Sequence, residues 1–319
     1  MMAGGGERSG TSAAPELLIP ASARGAGMGG GTVADAAGVE ALYWNPAGVT
    51  LIEGTELSFS YMDYIADLKY SSFNAATHLG EWGTLGFAVR VLNIGDIIVT
   101  TVDAPMGTGE ILSPNFVNIG TTFSRQLTDR VSFGATTTFI HESVKRENAK
   151  GIAFDFGFQY EPGFEGLRLG IVLKNLGPAM RFDGPDLEST VPIPGEDPTA
   201  ADQQLRLTLA SFELPTYVQF GASYDMNFND RNAVLVHGAY RNHSFTNDDI
   251  SGGIEYRYRE SLFLRGGYTA SSQDEFLYGP TLGFGLCARF GSTSFQFDYS
   301  HAQTEYFDNT QWVTLTLGF

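Results

Sequence analysis

A single cysteine, Cys287, stands among 319 residues, so neither an intramolecular disulfide framework nor a cysteine-rich zinc site can be built. The redox compartment is therefore not readable from cysteine. Nowhere does the chain have a run of about 18 apolar residues, which excludes helical membrane spans. Basic residues are scarce as well: 19 Lys+Arg face 36 Asp+Glu, a formal net charge of −17. No basic face is left to neutralise phosphates, so a nucleic-acid partner is excluded. The opening MMAGGGERSG has no apolar core of a signal peptide, and the sequence is read as starting near a mature end. Helical periodicity is almost missing from Thr55 onward.

What is abundant is glycine (39), phenylalanine (24) and tyrosine (14), arranged with a period of two. From Tyr278 to Phe290, residues Tyr278, Leu282, Phe284, Leu286 and Phe290 alternate with Gly279, Thr281, Gly283, Gly285, Cys287 and Arg289. Phe154, Phe156, Phe158 and Tyr160 alternate with Asp155, Gly157 and Gln159, and the chain ends with Val313, Leu315, Leu317 and Phe319 against Thr314, Thr316 and Gly318. The pattern gives strands at 55–61, 66–79, 83–93, 114–124, 130–143, 150–160, 166–176, 215–226, 231–242, 249–259, 262–270, 278–290, 292–301 and 309–319. Many are about ten residues long, the length a tilted strand needs to cross a bilayer. Pro114, Pro215 and Pro280 fall at strand starts, where a missing N–H costs least.

Short connections alternate with longer ones, and the two longest, Ile94 to Ser113 and Gly177 to Leu214, lie on the same side of the meander. That asymmetry and a mean hydropathy of −0.08 fit an outer-membrane barrel, whose lipid-facing residues are diluted by lumen-facing ones. A soluble sandwich or propeller also alternates, but a propeller repeats every 40 residues or so and no such repeat is present. The fold class expected is all-β, a transmembrane antiparallel β-barrel of about fourteen strands. With the apolar register toward lipid, Phe156, Phe158, Phe284 and Leu286 point outward. Arg90, Asp155, Arg168, Lys174, Asp225, Glu255, Arg257, Arg265, Arg289 and Asp298 then point into the lumen. They are either a wall of paired charges or a polar conduit or docking surface for a plug, and both can hold.

Motifs of chemistry are weak. GAGMGG, Gly25 to Gly30, matches the dinucleotide fingerprint in letters, but no strand–turn–helix context surrounds it; it is read as a flexible small-residue segment. His78, His141, His237, His243 and His301 are scattered without metal-ligand spacing. The acidic loop around Asp183 to Asp202 lacks EF-hand spacing and is read as solvated. No enzyme activity, cofactor or metal is expected.

The stretch SARGAGMGGGTVADAAGVEALYWNPAG, Ser22 to Gly48, together with LPTYVQFGASYD, GGIEYRYRESLFLRGGYT, GPTLGFGL and the terminal Phe319, resembles the PorV/PorQ group of bacterial outer-membrane proteins, relatives of the FadL transporters of hydrophobic compounds. The resemblance runs from about Ala21 to the end. It implies a flexible segment at 1–20, an N-terminal hatch at 21–54 folded into the lumen, and the barrel at 55–319. Asn45, Pro46 and Gly48 would form the turn that leads from hatch to first strand. It also implies two functions of different class. One is a partner-binding accessory of type IX-like protein secretion or surface assembly. Besides outer-membrane lipid, it would meet a secretion channel, cargo or surface component through outer loops, with Phe182, Asp183, Asp186, Glu188, Glu196 and Asp197 as the candidate docking loop. The other is FadL-like transport of hydrophobic small molecules, though no greasy loop segment stands ready to capture one; a structural subunit of an outer-membrane complex is a third reading. An apolar pocket beneath the hatch would favour transport, and a closed polar lumen with an ordered loop face would favour the partner role.

Overall fold

The computed structural model describes residues 8–191, 203–271, 278–304 and 307–319. Fourteen long strands form the wall: β1 (Thr55–Asp63), β2 (Lys69–His78), β3 (Thr84–Asn93), β4 (Asn115–Thr128), β5 (Val131–Val144), β6 (Glu147–Tyr160), β7 (Leu167–Leu176), β8 (Tyr217–Asn229), β9 (Asn232–His243), β10 (Asp249–Tyr258), β11 (Leu262–Ser271), β12 (Tyr278–Phe290), β13 (Thr293–Thr304) and β14 (Thr310–Gly318). Each pairs antiparallel with its sequence neighbour, and β14 returns to β1 through Leu57↔Leu317 and Tyr61↔Val313. Closure removes the two edges that lipid could not satisfy. Phe59, Phe156, Phe158, Phe284 and Leu286 are exposed on the outside, while Ser58, Ser60, Asp155 and Asp298 are buried on the inside.

Most boundaries agree with the alternation, and the departures have local causes. β2 starts at Lys69, because Ile65–Asp67 is a short 3-10 turn with Ala66 and Asp67 left-handed. Pro280 lies within β12 rather than at its start, where a register shift between Tyr278 and Thr281 relieves the ladder of its missing donor. β6 starts three residues earlier than the pattern suggests and meets β5 in the tight turn 145–146, with Lys145 left-handed. Beyond the wall, β6 is partly covered by the two-residue strand Phe182–Asp183, which pairs with Ala149 and Asn148.

The chain before β1 lies inside the ring. Ala14, Leu17, Ala23, Met28, Val33, Leu42, Trp44 and Val49 are buried, in short helical turns at Pro15–Leu18, Ala23–Gly27, Gly38–Glu40, Ala41–Trp44 and Pro46–Leu51. The expected flexibility of residues 1–20 does not extend through 13–19. There Ala14 N–H donates to Glu142 Oε1 at 3.1 Å, and Glu16 Oε1 accepts from Asn118 at 3.1 Å. Nor is Gly25 to Gly30 a loose stretch: the Gly29 and Gly30 carbonyls accept from Thr269 at 2.7 Å and Gln219 at 3.2 Å.

Candidate functional site

Turns as short as these leave most backbone groups without an internal partner, and an enclosed N–H or C=O needs one. The inward face of the wall supplies them. Thr281 Oγ1 donates to Gly27 O at 3.1 Å, His237 Nε2 meets Met28 O at 2.9 Å, and Gln159 Nε2 donates to Ala36 O at 2.9 Å. Lys174 Nζ donates to Tyr43 O at 2.6 Å, Ser124 Oγ to Ala47 O at 3.1 Å, and Trp312 Nε1 to Pro20 O at 3.1 Å. Wall glycines let the backbones approach: a Cβ on Gly267 would lie 2.2 Å from Met28 C.

Asn45, Pro46 and Gly48 sit at the centre of this packing. Asn45 is fully buried; its Oδ1 accepts from Ala47 N–H at 3.1 Å, while its Nδ2 donates to Val33 O at 2.8 Å and Phe158 O at 3.1 Å. Pro46 opens the turn Pro46–Leu51, where its lost N–H is not needed. Gly48 has no room for a side chain, because a Cβ would stand 1.9 Å from Ala36 O.

The inward charges fall into sets. Arg265 bonds Glu255 at 2.6 Å and Asp298 at 2.5 Å, and Arg24 of the N-terminal segment bonds the same Glu255 at 3.1 Å and Asp35 at 3.0 Å, with Glu40 also paired to it. His237 Nδ1 stands 3.3 Å from Asp35. Burial alone would raise the Asp35 carboxyl, but His237 and Arg24 outweigh it and hold it down at about 2; burial keeps Glu40 above the usual range despite Arg24. Asp155 pairs with Lys174 at 2.9 Å, and Arg257 with Asp225. The Arg90 guanidinium lies 5.3 Å from the Tyr43 ring centroid. Arg289 and Arg168 are at the mouth rather than in the interior, paired with Glu260 and Glu161 at 3.1 Å in exposed ion pairs.

Two cavities flank the segment. One of about 410 Å³ is polar and lies toward the short turns, lined by Arg24, Asp35, Glu40, Glu56, Asp225, Arg257 and Arg289 among others. The other, of about 360 Å³, lies toward the long loops and is walled by Leu18, Pro20, Tyr43, Trp44, Ala302 and Trp312, with Arg241, His243 and Asp249 at its edge. The aromatic cavity lies on the long-loop side of the segment rather than beneath it, and the polar one on the short-turn side, so the two sequence-based criteria do not choose between the readings. Among the described residues no group of three or more His, Cys, Asp or Glu could hold a metal.

Of the loop residues, Phe182 and Asp183 form the short strand against β6. Asp186 bonds Arg146 at 2.9 Å, and Glu188 starts a small hairpin, Glu188–Val191 with Gln203–Arg206. Glu196 and Asp197 lie outside the described residues. The most exposed apolar side chains are on another loop: between the paired strands Ile97–Ile98 and Ile111–Leu112, Val102 is 98% and Met106 94% exposed. Alternation could not reveal this, because these residues sit in turns with no partner strand to define a face. The meeting of Arg24 with Glu255, and of Tyr43 and Trp44 with Trp312, was likewise invisible, since each depends on contacts across most of the chain.

The sequence matches the family described as "Type IX secretion system protein PorV" over residues 3–196. No curated protein matches it. Among solved structures it is similar in fold to the Pseudomonas putida toluene transporter TodX (TM-score 0.62, 14% identity, covering 94% of this chain and 97% of that one). It is similar also to the Ralstonia pickettii toluene transporter TbuX (TM-score 0.55, 14% identity, 94% and 98%) and to a Pseudomonas aeruginosa FadL homologue (TM-score 0.53, 13% identity, 95% and 98%).

Proposed function

The chain belongs to the family of the type IX secretion system protein PorV, and from that premise we propose that it is a non-enzymatic barrel that docks another protein of a secretion or surface assembly through its long-loop face. Family and fold put it in the bacterial outer membrane, where long loops face outward and short turns face the periplasm. The observation that carries the reading is the loop face itself. Ile98, Val102, Met106 and Ile111 on one hairpin, with Leu205 and Leu207 near the other, are exposed beyond the wall. Lys145 links the two, contacting Glu110 at 2.9 Å and Asp186 at 3.8 Å, and Arg206 pairs with Asp183 within the second. An exposed apolar patch rimmed by charge is the usual mark of a protein interface.

In this reading the N-terminal segment is a hatch that seals the lumen and leaves the loops as the working surface. The test is co-purification from native membranes. Val102→Asp with Met106→Asp removes the partner while the barrel keeps its heat-modifiable migration, and a crosslinker at Met106 captures a protein that one at Trp82, on the short-turn side, does not. An undiminished complex in the double variant overturns the proposal.

FadL-like passage of hydrophobic small molecules is the second reading, and the 360 Å³ cavity favours it. The fold relatives named as toluene transporters point the same way. Planar-bilayer conductance and solute uptake by the purified chain separate the two.

A further inference from the structure

The outer surface of the wall is grooved on one side. Across six strands Phe73, Phe59, Leu315, Phe297, Leu286 and Leu262 stand directly opposite one another in a single row. The next row toward the short turns runs Leu57, Leu317, Phe295 and Ala288, and there it stops. β11 begins at Leu262, so what lies beside Ala288 is the turn 259–261, tied in by Cys287 N–H to Ser261 O at 2.8 Å. Rows of large apolar side chains ending on one small one border an open groove of about 790 Å³. Its back is braced from inside the barrel, where Ala23 N–H donates to Thr314 Oγ1 at 3.0 Å and Ser300 Oγ donates to Ala23 O.

The groove lies at the short-turn end of the strands, in the half of the bilayer next to the periplasm. Arg259 stands at its mouth. It is exposed, and its guanidinium is 5.3 Å from the ring centroid of Tyr258, the residue opposite Leu262. The neighbouring carboxylate, Glu260, is engaged by Arg289 at 3.1 Å. We infer that this groove is a binding site for one anionic phospholipid of the periplasmic leaflet, with an acyl chain against Phe59, Phe297 and Leu286 and the phosphate at Arg259. A protein segment would bring backbone N–H and C=O groups that the groove cannot satisfy, because each of these strands already pairs on both sides. An acyl chain brings none. The one cation is at the membrane surface, where a headgroup lies, and the Arg fork of N–H donors matches a phosphate. The inference rests on the barrel being in the membrane, not on docking of a partner or on transport.

Native mass spectrometry of the full chain in detergent, with dioleoylphosphatidylglycerol or dioleoylphosphatidylcholine added, tests it. The expected result is saturation at one phosphatidylglycerol per chain, held about fivefold more tightly than phosphatidylcholine, the advantage that one Arg near the surface gives. Ala288→Phe, at an exposed position, fills the groove and weakens both lipids about tenfold. Should that variant lack heat-modifiable migration, Ala288→Leu is read the same way. Arg259→Asn, which suits the left-handed backbone at 259, leaves phosphatidylcholine unchanged and removes the preference. Ile171→Phe, facing outward on β7 across the ring, changes neither lipid. Equal affinity of the wild type for the two lipids, or unaltered retention in the folded Ala288 variant, overturns the site. So does an equal loss in Ile171→Phe, which would make the contact that of any lipid around the wall. A dimer in detergent that the Ala288 variant dissociates gives the groove to a second copy of the chain and overturns it as well.

Discussion

The two faces of the N-terminal segment are held by different physics. Toward the short turns, Arg24, Asp35 and Glu40 meet Glu255, Arg265, Asp298 and His237 in one connected network with distances of 2.5–3.3 Å. Toward the long loops, Tyr43 packs edge-on to Trp44 with ring centroids 4.8 Å apart, and Trp312 stands nearby. The charged face tolerates almost no displacement, because losing one partner strands the others away from water. The aromatic face is non-directional, and rigid rings meeting at an angle leave space between them. One face therefore fixes where the segment sits, and the other leaves a cavity.

Arg24→Ala should break this contrast most severely. It leaves Glu255, Asp35 and Glu40 short of a cation in a largely enclosed site, a loss on the order of 3–5 kcal/mol, read as a lower denaturant midpoint and easier proteolysis before Thr55. On the other face Gly25→Ala pushes a methyl to 2.2 Å from the Trp44 indole nitrogen. The Trp44 Nε1–H bond to Ser22 Oγ at 3.0 Å resists movement of the ring, so overpacking should cost roughly 1–3 kcal/mol in the same denaturation assay. If Gly25→Ala proves as damaging as Arg24→Ala, the aromatic face is as exacting as the charged one and the contrast fails.

How much of this was legible in the sequence follows from the range of the interactions. The wall was readable because alternation is local: Phe156 and Phe158 against Asp155 and Gly157 state which face is which within a few residues. The inward direction of Asp155, Glu255, Arg265 and Asp298 came from the same rule. What each would touch did not, because the partners of Arg24 lie 11, 16 and 231 residues away. The fold of the segment and its docking on the wall bring these residues together, and no spacing along the chain encodes that. Asp249, Arg241 and His243 could have been brought together by pairing β9 with β10, where Arg241 stands opposite Asp249; their bordering an aromatic cavity could not, since Tyr43 and Trp44 come from the segment inside. The exposed Val102 and Met106 were missed because a loop has no period to read.

The gentlest expected effect comes from protonation, and it sets the two faces in opposite directions. Asp35, held at about 2, favours the packed state fully above the ordinary Asp value, and that favour is lost as pH falls through 2. Glu16 is the reverse case. It lies inside the ring on the long-loop side, and burial with Glu142 beside it raises its carboxyl to about 7. A carboxyl whose folded value is raised binds its proton more tightly when packed, so its contribution is complete below about 4.5 and disappears as pH rises through about 7. Residues 13–19 should therefore loosen between about pH 5 and about pH 8, while the network around Arg24 and Asp35 holds. Glu16→Gln keeps an oxygen for the bond from Asn118 and removes the ionisation, which should leave the segment's anchoring flat across that range. The change accumulates between about pH 4.5 and about pH 7, where the released carboxyl is ionised and the packed one still holds its proton, and it levels off on the alkaline side. Amide exchange at Ala14 to Ile19, corrected for intrinsic rates, is the measurement. Equal pH dependence in the wild type and Glu16→Gln would show that the carboxyl is not what ties this end of the segment to the wall.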